Sequence, residues 1–199
     1  MYARVLNWNG VKDIDAGVRF LRETALPVLE SQRGFRGVTA SADRGSGVFG
    51  VLSLWETEAD RSASDSAMAK TRQESAALLG GQPTVENLEE VYRQVVKPPA
   101  AGCSLMVTRI SMDPAKVEEN IEFFKSSVAP DIAAGTGFCA LRNMIDRQTG
   151  RGIVGSVWEN EAALKEATRA TEARRARAAE RSVSFDEISL REILFNELK

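Results

Sequence analysis

Asn7, Trp8 and Asn9 stand together at the end of a strand-forming segment. An amphipathic ring flanked by two amides is able to orient a planar ligand at a pocket mouth. The same trio equally suits a loop with a half-exposed indole. Arg4 and Arg109 fall at comparable places in two strand-like segments. Facing inward, each guanidinium needs a carboxylate partner or an anionic ligand; facing outward, each pairs with a surface glutamate. Tyr92 adds a phenol, and Arg142 with Asn143 adds a guanidinium and an amide on one strand. Arg4, Asn7, Trp8, Tyr92, Arg109, Arg142 and Asn143 are therefore the candidate ligand contacts, and no residue is singled out as catalytic. Trp55 and Trp158 each end a strand just before a helix, where an indole either packs the strand end or walls a pocket.

Composition narrows the chemistry. The 199 residues include no histidine, which removes His bases, His metal ligands and His-ligated haem. Cys103 and Cys139 are far apart in sequence and form no CxxC pair, so they read as small buried hydrophobes rather than a disulfide or metal site. Neither a metal nor a cofactor is expected. A net charge of −2 argues against bulk electrostatic binding to nucleic acid or an anionic membrane. No apolar run approaches the roughly 20 residues of a membrane-spanning helix. Residues 1–10 lack a basic start followed by an apolar core, so the expected location is cytoplasmic. Arg169, Arg174, Arg175, Arg177 and Arg181 crowd the end of one alanine-rich helix and read as a solvated face, favoured by the helix dipole.

The elements that must position these residues come in two copies. A shift of 103 positions brings Gly34-Phe35 onto Gly137-Phe138 and Asp43-Arg44 and Gly47 onto Asp146-Arg147 and Gly150. The same shift brings Ser53 and Trp55-Glu56 onto Ser156 and Trp158-Glu159, and Pro27 onto Pro130. A two-residue slip near the start aligns Ala3-Arg4-Val5 with Thr108-Arg109-Ile110. The repeats span 1–97 and 103–199, and Pro98 to Gly102 form the linker.

Within each copy the order reads β-α-β-β-α-β. Tyr2 to Trp8 and Ser104 to Met112 are rich in strand formers. Ile14, Val18, Leu21, Ala25 and Leu29, and their partners Val117, Ile121, Phe124, Val128 and Ile132, mark one face of a helix. The spans 35–42 and 48–55 form a hairpin about Asp43 to Gly47. Thr57 and Asn160 cap the second helices. Leu88 to Val96 and Arg191 to Leu198 supply the last strands. A sheet with helices on one face leaves the other bare, and a tandem copy is the natural cover. The expected fold is α+β: two tandem ferredoxin-like units packed sheet to sheet as a pseudo-dimeric eight-stranded α/β barrel. Pairing with a second chain stays open.

The string Gly34-Phe35-Arg36-Gly37, the turn Asp43-Arg44-x-x-Gly47 and the run Trp55-Glu56-Thr57-Glu58-Ala59-Asp60 resemble the antibiotic biosynthesis monooxygenase family of the dimeric α/β-barrel superfamily. The second copy repeats the pattern in Gly137-Phe138, Asp146-Arg147-x-x-Gly150 and Trp158-Glu159-Asn160-Glu161-Ala162. That resemblance implies a small-molecule-binding protein related to cofactor-independent oxygenases, with a phenolic or polycyclic aromatic substrate oxidised by O₂. The family's haem-degrading branch carries a ligand histidine on the second helix. Here that helix offers Ser64 and Gln73, or Thr168 and Ala176, so haem degradation is set aside. The alternative is a non-catalytic binding, assembly or stress-related module. A cavity of roughly 300 Å³ or more in either half would favour the ligand-binding reading.

Overall fold

The computed structural model describes residues 1–199. The first repeat begins with β1 (Tyr2–Trp8), followed by α1 (Ile14–Phe20), a π-helical turn (Leu21–Ala25) and α2 (Leu26–Glu30). The hairpin β2 (Phe35–Asp43) and β3 (Val48–Trp55) comes next, then α3 (Glu58–Ala67), α4 (Ala69–Leu79) and β4 (Thr84–Val95). The second repeat runs β5 (Ser104–Met112), a 3₁₀ turn (Pro114–Lys116), α5 (Val117–Phe123), a π turn (Phe124–Val128) and α6 (Ala129–Ala133). It ends with β6 (Phe138–Asp146), β7 (Arg151–Trp158), α7 (Glu161–Glu180) and β8 (Val183–Leu198). No helix is long and apolar enough to cross a membrane.

Hydrogen-bonded neighbours run β1-β3-β2-β8-β5-β7-β6-β4 and close on themselves, so the fold is an α+β eight-stranded antiparallel barrel. By contacts the chain forms two compact units, Met1–Leu88 with Ile193–Lys199, and Glu89–Glu192. This division differs from the repeat division because β4 and β8 are longer than their sequence signals and change neighbours part-way. In β4, Thr84 donates to the Asn7 carbonyl (3.4 Å) and Asn87 receives Arg4, whereas Glu89 to Val95 pair with β6. In β8, Val183 to Glu192 pair with β5, whereas Asn196 accepts from Thr39 of β2 (2.6 Å).

Local chemistry builds the same corners twice. Asp43 Oδ1 receives the Gly45 amide and its Oδ2 receives Ser46 Oγ; Asp146 does the same with Gln148 and Thr149. Gly47 and Gly150 close these turns at φ 71° and 68°, the left-handed region that favours glycine. Thr57 Oγ1 and Asn160 Oδ1 each accept the backbone N–H three residues on, at 3.0 Å, and so cap α3 and α7. Each first helix carries its π turn just ahead of Pro27 or Pro130. A proline inside a helix has no N–H to give and crowds the carbonyl four residues back. The wider turn relieves that crowding and rotates the flanking side chains.

Two details depart from the sequence expectation. The second helix of the first repeat breaks at Met68 into α3 and α4, whereas α7 runs unbroken for 20 residues. Arg4 and Arg109 do not occupy equivalent places. Arg4 stands opposite Ser53, and the residue opposite the matching Ser156 is Met106. Arg109 stands opposite Ile153, as Asn7 stands opposite Gly50. The sequence match was three residues out, and an odd slip turns a strand residue to the other face.

Candidate functional site

Each unit encloses a cavity between its own sheet and its own helices. In the first unit the strand floor is Arg4, Leu6, Trp8, Val51, Ser53 and Trp55; in the second it is Met106, Thr108, Ile110, Val154, Ser156 and Trp158. The first helices close them with matched residues, Leu21, Ala25 and Leu29 against Phe124, Val128 and Ile132. Two of each trio lie in the π turn. Trp55 and Trp158 are almost wholly buried, and each indole N–H donates to the serine two residues earlier, at 3.1 and 3.0 Å. Phe35 and Phe138 meet the two indoles edge to face at 5.6 and 5.7 Å. Both tryptophans thus pack the strand end and wall a cavity.

The first-unit cavity measures about 60 Å³ and its polar lining is engaged. Arg4 donates Nε to Asn87 Oδ1 (3.1 Å), Nη1 to Ser64 Oγ (3.2 Å) and Nη2 to the Arg61 carbonyl (3.3 Å), and it pairs with Asp65 at 2.9 Å. Burial lowers the Arg4 pKa, and Asp65 pulls it back up. Trp8 donates Nε1 to the Gly81 carbonyl (3.1 Å) and leans on Phe49. The indole and the guanidinium are held by protein partners.

The second-unit cavity measures about 80 Å³. Its deep lining is apolar except for Thr108, Asn120, Asn143, Ser156 and Thr171, all buried. Asn143 is 2% exposed and its Oδ1 is buried with no hydrogen-bond partner. A buried acceptor left without a donor costs about 1–3 kcal/mol. Thr171 is satisfied by the Ala167 carbonyl (3.1 Å) and Ser156 by Trp158. The half-buried rim is Phe123, Arg174, Ala178, Arg181, Val183 and Phe185. Arg174 and Arg181 therefore line this cavity instead of joining a purely solvated face. At about 80 and 60 Å³, both cavities lie well below the roughly 300 Å³ set as the mark of the ligand-binding reading, so cavity volume does not favour that reading over a non-catalytic module.

The proposed contacts are distributed as follows. Arg4 and Trp8 line the first cavity, and Asn143 lines the second. Asn7 is buried in β1 outside the cavity lining. Tyr92 stands beside Asn143 in the sheet and backs the second cavity by meeting Phe124 edge-on at 5.6 Å; its hydroxyl donates to Gln94. Arg142, one residue from Asn143, projects from the opposite face and pairs with the buried Glu90. Burial pushes the Arg142 guanidinium down to about 10. Arg109 pairs with Glu187 at 3.3 Å. Sequence reasoning missed Thr108, Asn120 and Thr171. The repeat shift held the signal for two of them, since it sets Asn120 over Gly17 and Thr171 over Met68.

Fold and site together define a tandem-duplicated, ferredoxin-like α+β barrel with one small cavity in each unit. No family model matches the sequence. Uncharacterized protein Rv2557 of Mycobacterium tuberculosis is 31% identical over 147 residues, which cover 74% of this chain and 66% of that protein. Uncharacterized protein Rv2558 of the same organism is 28% identical over 169 residues, covering 84% of this chain and 72% of the relative. The chain thus spans just under two thirds of the length of the first of these. Among solved structures, a candidate monooxygenase from Fusobacterium nucleatum superimposes with TM-score 0.71 at 13% identity, over 100% of this chain and 94% of its own. An anthrone oxidase-like protein superimposes with TM-score 0.65 at 14% identity, over 99% and 93%. At such identity the likeness is one of fold.

Proposed function

We propose that the protein binds a small aromatic molecule in its second-unit cavity, and that a phenolic ligand there is oxidised by O₂ without metal or haem. The observation that carries this reading is Asn143, whose Oδ1 is buried without a donor and which lines a largely apolar chamber walled by Phe124 and Trp158. A ligand hydroxyl supplies the missing donor, and the rings supply apolar contact. The cavity volume favours a compact ligand over the polycyclic substrates that the family resemblance suggests. Rv2557 and Rv2558 carry no described activity to transfer, and the anthrone oxidase-like fold supplies the reaction type. For a single-ring phenol the matching step makes a quinone: the ring C–H para to the hydroxyl becomes a carbonyl with one oxygen atom of O₂, and the other oxygen leaves as water with the two hydrogens. The only ionisable side chains in the lining are Arg174 and Arg181 at the rim, so the cavity offers no carboxylate base.

A second reading applies to the first unit. Its smaller cavity, with Arg4 and Trp8 fully engaged, favours a structural and non-catalytic half. The test is O₂ uptake and thermal shift over a panel of quinols, anthrones and simple phenols. Stabilisation by phenols that is lost in Asn143→Leu supports binding, and O₂ consumption supports oxidation. No shift with any member sinks the binding reading.

A further inference from the structure

The two cavities share a frame but differ at both ends, and the difference has a chemical direction. In the deep lining, Asn143 of β6 and Asn120 of α5 stand where the first repeat has Ala40 and Gly17; at the rim, Arg174 stands where it has Thr71. The second copy therefore carries amides that the first lacks, while both linings include an arginine near the rim: Arg72 in the first, tied to Asp65, and Arg174 in the second. No acidic residue lines the second chamber.

The rim cation is poorly compensated. Arg174 donates Nη2 to the Asp131 backbone carbonyl at 3.2 Å, while the Asp131 carboxylate is taken by Arg177. Burial lowers the Arg174 pKa; the Asp131 charge pulls it partly back up, and Arg177 opposes that. Arg181 lies over the Phe123 ring at 4.1 Å and donates Nη2 to Glu119 (2.8 Å), and its Nε is buried without a partner. Two guanidinium groups at one rim, each with unused donors, match the planar geometry of a carboxylate.

We propose that the second-unit cavity takes a single-ring aromatic carboxylate bearing a ring hydroxyl. The hydroxyl donates to Asn143 Oδ1, the ring lies against Phe124 and Trp158, and the carboxylate meets Arg174 and Arg181. The assignment rests on the second cavity being the ligand site and adds polarity and charge to that reading. The first-unit cavity takes no such ligand, because Arg4 is already paired with Asp65.

Calorimetry on the full chain with 4-hydroxybenzoate, benzoate and phenol tests the assignment. The bifunctional acid binds tightest, and deleting either substituent weakens binding about ten-fold or more, the loss of one good hydrogen bond or ion contact. Arg174→Gln makes phenol and 4-hydroxybenzoate bind alike, and Asn143→Leu makes benzoate and 4-hydroxybenzoate bind alike. Arg174→Lys keeps part of the carboxylate preference, and the exposed Arg175→Gln leaves all affinities unchanged. Unfolding curves confirm that each variant is folded; if Asn143→Leu is not, Asn143→Ser takes its place. Phenol binding with no gain from the carboxylate overturns this inference and leaves the cavity reading intact. Binding by none of the three overturns both. Equal affinity in the parent and in Arg174→Gln overturns the assignment of the rim.

Discussion

Arg4 and Met106 occupy the same place in their two cavities. Each stands opposite the serine, Ser53 or Ser156, that receives the indole N–H of the strand-end tryptophan. One copy fills the position with a guanidinium held by Asn87, Ser64, the Arg61 carbonyl and Asp65, and the other with an apolar thioether. Arg4→Ala removes every partner at once and costs about 2–4 kcal/mol, whereas Arg4→Met, the residue of the second copy, costs under about 1.5 kcal/mol. Urea denaturation of the two variants reads the difference; equal losses would show that the polar contacts, not the filled volume, hold this corner.

Glu90 and Arg142 are a buried pair, with side chains 6% and 13% exposed. Glu90→Gln leaves a buried cation without its anion and costs about 3–5 kcal/mol. The double replacement Glu90→Leu with Arg142→Met recovers most of that loss, because an apolar pair needs no desolvation. Chemical denaturation of the two variants and the parent measures it, and a double variant as unstable as Glu90→Gln would contradict the argument.

Gly150 and Gly80 both have positive φ, 68° and 87°, but their surroundings differ. A Cβ at Gly150 would meet the Met112 carbonyl oxygen, a backbone atom that cannot yield cheaply; a Cβ at Gly80 meets nothing. Gly80→Ala therefore costs only conformational strain of about 1 kcal/mol, and Gly150→Ala costs about 3 kcal/mol or more. Thermal unfolding gives the order; similar Tm values for both variants would show that the Gly150 turn relaxes.

Cys103 and Cys139, distant in sequence, are both buried free thiols, and the Cys139 thiol donates to the Gly137 carbonyl at 3.6 Å. Burial pushes the Cys139 thiol up, with Cys103 and Glu159 adding to the shift. A raised thiol pKa means less thiolate at pH 8, so native Cys139 alkylates more slowly than the unfolded chain and gains rate only as pH rises past the ordinary thiol range. Mass-resolved alkylation from pH 7 to 10 checks this. Labelling of Cys139 at the unfolded-chain rate at pH 8 would mean that the thiol is not shielded.

The turns, caps and helix faces were legible because their signals are local. Asp43 and Asp146, Thr57 and Asn160, and the glycines that close the hairpins act within three or four residues. The duplication was legible for the same reason: these local devices recur at one spacing. Asn143 and Trp8 were singled out from asymmetry between the copies, and the structure sets each in a cavity lining. That Arg4 corresponds to Met106 and not to Arg109 was not recoverable from residue types. Strand pairing is fixed by partners about fifty residues away, and a three-residue error reverses the face of every side chain.

The sequence alone determined the doubled β-α-β-β-α-β order, the hairpin turns and the helix stripes, since each follows from backbone preference and hydrophobic period. Only the tertiary structure decided that β4 and β8 change neighbours part-way, that Arg142 and Asn143 part to opposite faces, and that Arg174 and Arg181 look into a chamber. Those outcomes depend on register and on which helix face meets which sheet, and long-range packing sets both.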